Sequence, residues 1–153
     1  MRRKDLEVLD KEQLIKVLEG CKVCRLGIAD EVPYIVPMNF GYSWGDRLTL
    51  YFHSAPRGRK IDLLQKAPRV SFEMDCDHTL VTGSTACRYS YKYSCLMGVG
   101  EVRFLEDYGE KFAALKTIMQ RVTGNDDYEY DEPAVKSVAV FAVDAKEVIG
   151  KVR

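Results

Sequence analysis

The sequence lacks the features that mark membrane-spanning and nucleic-acid-binding proteins. No apolar run approaches the roughly 18 residues that a helix needs to cross a bilayer. The formal net charge is zero, with 23 basic and 23 acidic residues, and a chain without net charge exerts little long-range attraction on a polyanion or an anionic lipid surface. We therefore expect that neither nucleic acid nor a membrane is a partner.

A signal-peptide pattern and an even set of cysteines are also missing. The basic residues at 1–5 are not followed by an apolar stretch of signal-peptide length. Five cysteines are an odd number, and in a chain that is not exported they predict reduced thiols. We expect a cytoplasmic protein in which residues 1–153 form a single domain.

The apolar pattern predicts a mainly β chain with helices on its outside. Helices are predicted at 10–19, at 59 to 65 or 66, and at 107–122. Strands are predicted at 21–29, 34–42, 48–53, 70–74, 93–104, 137–143 and 147–152, with polar loops at 76–90 and 125–133. Strands that mostly follow one another predict a largely antiparallel sheet, closed or nearly closed into a barrel. Pro37 inside one strand indicates a sheet edge, a bulge or backbone that faces a ligand.

The most informative segment joins strand 48–53 to the helix that begins near Gly58. Three cations, Arg57, Arg59 and Lys60, cluster at this helix start, where positive charge opposes the helix dipole. An anion bound there would accept hydrogen bonds from backbone amides and pair with the cations. The segment therefore indicates a phosphate site, and a solvated basic turn is the alternative interpretation. The Gly-Lys-Ser/Thr ending of a Walker loop is absent.

Several stretches of the chain, taken in order, resemble a known family. They are Met1-Arg2-Arg3-Lys4, Arg25-Leu26-Gly27, residues 33–42, residues 51–55, Gly58-Arg59-Lys60 and residues 93–100. Together they resemble the pyridoxamine 5'-phosphate oxidase-like, FMN-binding split barrels, and most closely the 5-nitroimidazole-resistance (Nim-type) branch.

The resemblance implies a six-stranded antiparallel split β-barrel that forms a homodimer, with two FMN sites at the interface. One strand would lie along the isoalloxazine ring, a second segment would pass the ring and the ribityl chain, a third would hold the phosphate, and a fourth would approach from across the interface. The implied ring residues are Val36, Pro37, Met38 and Asn39, and those beside the ring and the ribityl chain are His53, Ser54 and Ala55. The implied phosphate residues are Gly58, Arg59 and Lys60, and those from across the interface are Ser94, Cys95 and Met97.

His53 is the catalytic residue that the resemblance implies. An imidazole beside a flavin can donate a proton or stabilise negative charge on the reduced ring. The alternative is a histidine that only makes a hydrogen bond within a loop.

The cysteines suggest a competing idea, a zinc site. Cys21 and Cys24 form a C-x-x-C pair, and Cys76 and His78 supply two more candidate ligands. However, both members of the pair fall in a predicted strand, where positions three apart point to opposite faces. Buried thiols are therefore favoured, and no metal is expected.

The leading functional hypothesis is an FMN-dependent oxidoreductase that acts on a small organic acceptor, with a nitroaromatic as one candidate substrate. One alternative is a module that binds flavin, the deazaflavin F420 or haem without catalysis. Another is a structural or interaction protein that has no cofactor.

Overall fold

The computed structural model describes residues 3–153, and within them eight strands form one sheet. Met1 and Arg2, which begin the first resembling stretch, lie outside the described residues. The strands are β1 (Glu7–Val8), β2 (Cys24–Ile28), β3 (Tyr34–Met38), β4 (Gly41–Trp44), β5 (Leu48–Ser54), β6 (Arg69–Val81), β7 (Ser90–Phe104) and β8 (Ala139–Val152). The α-helices are α1 (Lys11–Gly20), α2 (Arg59–Lys66), α3 (Tyr108–Thr123) and α4 (Glu132–Ser137), and short 3-10 helices cover Lys4–Leu6 and Ala86–Arg88.

The strand order is β3-β2-β6-β7-β8-β5-β4, and β1 adds to β8 outside this path. All of these strand pairs are antiparallel. The predicted mainly β, antiparallel split barrel with flanking helices is confirmed. The structure has eight strands where the resemblance implied six, because β1 is an additional strand and the predicted strand 34–42 is divided into β3 and β4 at Asn39 and Phe40.

Alternating side chains build the core on the inner face of this sheet. In β2, Cys24, Leu26 and Ile28 are buried while Arg25 is exposed. Phe52 of β5 is fully buried and stacks on Phe141 of β8, with ring centroids 5.4 Å apart. This alternation is the pattern that lets one sheet face pack and the other meet polar surroundings.

Side-chain caps explain where two of the helices begin. Asp10 accepts a hydrogen bond from the backbone amide of Gln13 at 3.0 Å, and Asp107 accepts one from that of Glu110 at 3.0 Å. Each carboxylate satisfies an amide that has no partner inside its helix. The predicted first and last long helices are confirmed to within one residue.

Three predictions of element boundaries were wrong. The predicted polar loop at 76–90 includes the ends of β6 and β7, which pair as far as Val81 and Ser90, and only residues 82–89 lie between the two strands. Helix α4 begins inside the predicted loop 125–133 and is capped by Asp131. The two predicted closing strands are one strand, β8, because β7 pairs with it on both sides of a bulge at Lys146. In each case, pairing or capping outweighs a polar local sequence.

Strand β3 lies at one end of the strand order and, in the part of the chain that the structure describes, pairs only with β2. Pro37 stands opposite Arg25 in this pair, so the proline marks a sheet edge, one of the three positions that the sequence indicated. None of the helices in residues 3–153 is long and apolar enough to cross a membrane.

Candidate functional site

The start of α2 is open to an anion. Gly58 occupies the N-cap position with φ +126°, a backbone conformation that side-chain-bearing residues rarely adopt. No side chain of residues 3–153 caps this helix, and its first helical backbone bond runs from the Asp62 amide to the Gly58 carbonyl. The amides of the first turn therefore have no helical partners, as at any uncapped helix start.

Lys60 adds an uncompensated charge to this place. Its side chain is half-buried, and burial lowers the pKa of its ammonium group. The ammonium group makes no hydrogen bond or ion pair with any described residue. A cation that has lost water without gaining a partner is unfavourable, and a bound anion would offset that cost.

Arg59 is held at the same helix start by two contacts. Its Nε and Nη2 atoms donate to Oδ2 of Asp30 at 3.2 and 2.8 Å, and its guanidinium carbon lies 4.7 Å from the ring centre of Tyr34. The hydrogen bond from Arg59 holds the pKa of Asp30 below its usual value. Because Tyr34 begins β3, these contacts bring α2 next to the edge strand, while Nη1 of Arg59 donates to no described residue.

His53 lies near the end of β5, opposite Val140 of β8. It lines a cavity of about 260 Å³ whose other walls come from α3, α4 and the segment before α4. The lining residues are Leu115, Ile118, Met119, Glu129, Tyr130, Asp131, Ala134, Val135 and Val138. Most of this wall is apolar, and the part from α4 was missed by sequence reasoning because residues 125–133 read as a polar loop.

The imidazole of His53 favours its uncharged form. Burial, and then the positive charge of Lys60, lower its pKa. An uncharged imidazole offers one hydrogen-bond donor and one acceptor. The structure therefore places a neutral acid–base group close to the cation at the start of α2.

The edge strand carries the next group of predicted residues. Val36 and Met38 face the core, whereas Pro37 and Asn39 are exposed on the other side. Since β3 pairs only with β2, its outer edge leaves backbone groups available to a ligand.

Ser94, Cys95 and Met97 lie far from His53 along the sheet. Met97 is opposite Ile149 of β8, whereas His53 is opposite Val140 of the same strand. The intervening stretch of β8 corresponds to roughly 30 Å along a strand. One chain thus brings together the predicted residues of β3, β5 and α2, and it does not bring those of β7 to them.

The C-x-x-C pair does not lie in one strand. Cys21 follows the last residue of α1, and its amide donates to the carbonyl oxygens of Val17 and Leu18. Only Cys24 is in β2. The prediction that both cysteines share a strand was wrong because α1 extends to Gly20. Among residues 3–153, no group of three or more His, Cys, Asp or Glu side chains is placed to hold a metal ion.

A family model described as pyridoxamine 5'-phosphate oxidase matches residues 10–152. The chain is similar to the crystal structure of a candidate 5-nitroimidazole antibiotic resistance protein from Bacteroides thetaiotaomicron. The two are 38% identical over 96% of this chain and 86% of that one, with a TM-score of 0.84.

Two more distant structures share the fold. A flavocytochrome from Azotobacter vinelandii is 18% identical over 100% of this chain and 72% of its own, with a TM-score of 0.84. A FAD- and haem-binding protein from Mycobacterium smegmatis is 12% identical over 95% of this chain and 72% of its own, with a TM-score of 0.82. No curated protein matches the sequence.

Proposed function

The chain belongs to the pyridoxamine 5'-phosphate oxidase family, in its 5-nitroimidazole-resistance-like branch, and from that premise we propose that it is an FMN-dependent oxidoreductase acting on a small organic acceptor. The observation that carries this proposal is the uncapped start of α2, where Lys60 is half-buried and has no anionic partner among the described residues.

A phosphate monoester fits the chemistry of this helix start. It would accept hydrogen bonds from the unpartnered first-turn amides and from the ammonium group of Lys60. Arg59 is held beside it by Asp30 and Tyr34, with Nη1 available. Gly58 has no side chain to obstruct the approach, and a Cβ built there would meet no atom within 4 Å.

The rest of the site supports a flavin as the molecule that carries this phosphate. The two distant neighbours are described as a flavocytochrome and as a FAD- and haem-binding protein, and a flavin is common to the two descriptions. Exposed backbone along the edge strand β3 is available to the polar rim of a flat ring. FMN, whose phosphate is terminal, matches a site that ends at one helix N-terminus.

His53 would act as the acid–base group of this site. A bound flavin supplies the electron transfer, and the protein contributes binding, orientation and electrostatics. Because His53 is uncharged at neutral pH, it can donate a hydrogen bond or a proton to a neighbouring atom that gains negative charge. We assign the acceptor to the apolar cavity beside His53, which suits a small aromatic molecule such as a nitroaromatic.

The proposed flavin site requires a second copy of the chain. Three residues of β7, Ser94, Cys95 and Met97, pair with the end of β8 that is remote from the partner of His53, so they do not reach the His53 region of their own chain. We propose a homodimer in which β7 of one subunit completes the site that β3, β5 and α2 of the other subunit begin.

Titration of the flavin-free protein with FMN and with riboflavin tests the cofactor and the phosphate site together. FMN should bind at least about tenfold more tightly, since charge-assisted hydrogen bonds to the phosphate contribute about 1.5–3 kcal/mol each. Lys60→Met should remove much of this preference. The matched control is Lys66→Met in the last turn of the same helix, which should leave the preference unchanged.

The stability of the flavin-free variants separates a binding defect from misfolding. Lys60→Met removes an unpaired, half-buried cation, so the variant should be as stable as the parent protein or more stable. Equal affinity for FMN and riboflavin would contradict the phosphate site. Failure to bind either flavin would contradict the proposed function as a whole.

A further inference from the structure

Two of the five thiols, those of Cys21 and Cys76, meet between the end of α1 and strand β6. Sγ of Cys21 donates to the carbonyl oxygen of Val17 at 3.2 Å, and Sγ of Cys76 lies 3.7 Å from the same oxygen. The two thiols are also hydrogen-bonding neighbours of each other. They lie 55 positions apart in the sequence, so only the fold makes them a pair.

The surroundings of the pair hold both cysteines in place. A Cβ on Gly20 would lie 2.8 Å from Sγ of Cys76, so the missing side chain leaves room for that thiol. On the other side, Arg121 of α3 donates to the carbonyl oxygens of Leu18 at 2.6 Å and Cys21 at 2.5 Å. The end of α1 is thereby fixed against β6 and α3.

The other three thiols have no such partner among the described residues. Cys24 is close to Cys21 in sequence but is buried in β2, where Glu73 and Arg25, and no other thiol, influence its pKa. Cys87 is exposed in a short 3-10 helix. Cys95 faces Asp75 and Lys151 across the sheet.

We propose that Cys21 and Cys76 are a redox pair that forms a reversible disulfide when the protein meets hydrogen peroxide. Cys76 reacts first because it is half-buried, whereas Cys21 is fully buried. The Cys76 thiolate attacks one peroxide oxygen and breaks the O–O bond, which leaves a sulfenic acid on Cys76 and releases water. The sulfur of Cys21 then attacks the sulfur of Cys76, breaks its S–O bond, and loses its proton as the second water leaves.

The balance of this reaction is two thiols and one peroxide to one disulfide and two waters. The thiols lose two electrons and the peroxide gains them. Burial raises the pKa of both thiols, so the reaction should be slow at neutral pH and should accelerate as pH rises, since the thiolate is the reactive form.

A disulfide here would close a loop that contains the β3, β5 and α2 parts of the candidate site. Cross-linking so long a loop restricts the unfolded chain. The melting temperature should therefore rise by about 5 °C or more on oxidation and fall again when a thiol reductant is added.

Peptide mapping of the full-length protein tests the proposal. Trypsin separates Cys21 in peptide 17–22, Cys24 in 23–25 and Cys95 in 93–103, but leaves Cys76 and Cys87 together in 70–88. A Cys87→Ser background removes that ambiguity. After treatment with hydrogen peroxide and alkylation of the remaining thiols, peptides 17–22 and 70–88 should appear linked, about 2 Da lighter than their sum.

Two further variants in that background identify the pair. Cys76→Ser should abolish both the linked peptides and the rise in melting temperature, and its hydroxyl can keep the hydrogen bond to Val17. Cys24→Ser, the matched buried control, should leave both unchanged. A bridge between Cys21 and Cys24, or oxidation of Cys76 to a sulfinic acid without any bridge, would overturn the proposal. The result does not depend on whether the chain binds a flavin.

Discussion

His53 and Lys60 are two basic side chains that burial drives toward their uncharged forms. The pKa of each is lowered, and the charge of Lys60 lowers that of His53 further. A protein core that only needed stability would avoid such an arrangement. The pair is understandable if an anion compensates Lys60 and if a neutral imidazole is useful beside the cofactor.

The lowered pKa of His53 predicts a loss of stability in mild acid. The unfolded chain protonates this histidine near its ordinary pKa of about 6.5, whereas the folded protein resists protonation until a lower pH. The unfolded state therefore binds more protons, and stability falls as the pH drops below about 6.5. His53→Gln should remove this part of the decline.

Urea denaturation between about pH 7.5 and 5.5 measures this effect as a free energy of unfolding. Near pH 7.5 the histidine is almost entirely uncharged in both states, so the wild-type protein and the variant should show the same dependence on pH there. An equally steep decline of the two proteins below pH 6.5 would contradict the assignment. In the Lys60→Met variant, stability should decline less steeply with falling pH than in the wild-type protein, because the charge that disfavours protonation of His53 is gone.

At the level of elements, α3 determines the shape of the cavity beside His53. This helix lies against β4 and β5, and its backbone is close to Gly41 of β4. A Cβ on Gly41 would lie 2.7 Å from the backbone nitrogen of Ile118 and 2.8 Å from the carbonyl carbon of Thr117. Because the obstructing atoms belong to the helix backbone, no side chain can turn aside to make room.

We therefore expect Gly41→Ala to force α3 away from the sheet and to cost about 1–3 kcal/mol of unfolding free energy, as overpacking usually does. Gly45 is the matched control, since it lies in the turn after β4 and a Cβ there would meet nothing within 4 Å. Gly45→Ala should change stability by less than about 0.5 kcal/mol. Urea unfolding of the two variants makes the comparison, and equal stabilities would show that α3 is not seated on Gly41.

On the scale of the whole molecule, the predicted cofactor residues form two separated groups. The first group surrounds the start of α2, and the second lies on β7. Met97 and Pro37 stand in one row across the sheet, with Arg25 and Glu73 between them. The row spans three strand spacings, or roughly 14 Å. In the proposed dimer, one flavin would touch the first group of one subunit and the second group of its partner.

Subunit mixing tests this arrangement. Lys60→Met damages the first group and Met97→Trp fills space in the second, so each variant alone should bind FMN poorly. In a mixed dimer, one site carries both substitutions and the other carries neither. Unfolding and refolding the two variants together should therefore restore tight binding of about one FMN per four chains, the statistical yield for a dimer.

No recovery of binding on mixing would mean that each site is built from a single chain, which contradicts the shared site. Sedimentation of each variant provides the control, since both must form dimers for the comparison to hold. Recovery with wild-type affinity would assign β7 to the partner subunit's side of the site.

The sequence by itself determined the architecture and singled out the segment that we propose binds a phosphate. Apolar alternation in β2 and β5, and the aspartates that cap α1 and α3, are local signals, and local signals decide where such elements form. The cations around Gly58 are also neighbours in the chain, so their clustering at a helix start could be read directly. Pro37 indicated a sheet edge, a bulge or backbone that faces a ligand, and the strand order decided for the edge.

Only the tertiary structure decided which distant residues meet. The ends of β6 and β7 are polar and become strands because they pair with each other, and α4 follows a stretch that reads as loop. The cavity beside His53 joins β5 to helices more than 50 residues away. Likewise, Cys21 has Cys76 as its neighbour and not Cys24, which is nearer in sequence. These contacts depend on strand register and helix packing, which bring together residues that no local pattern connects.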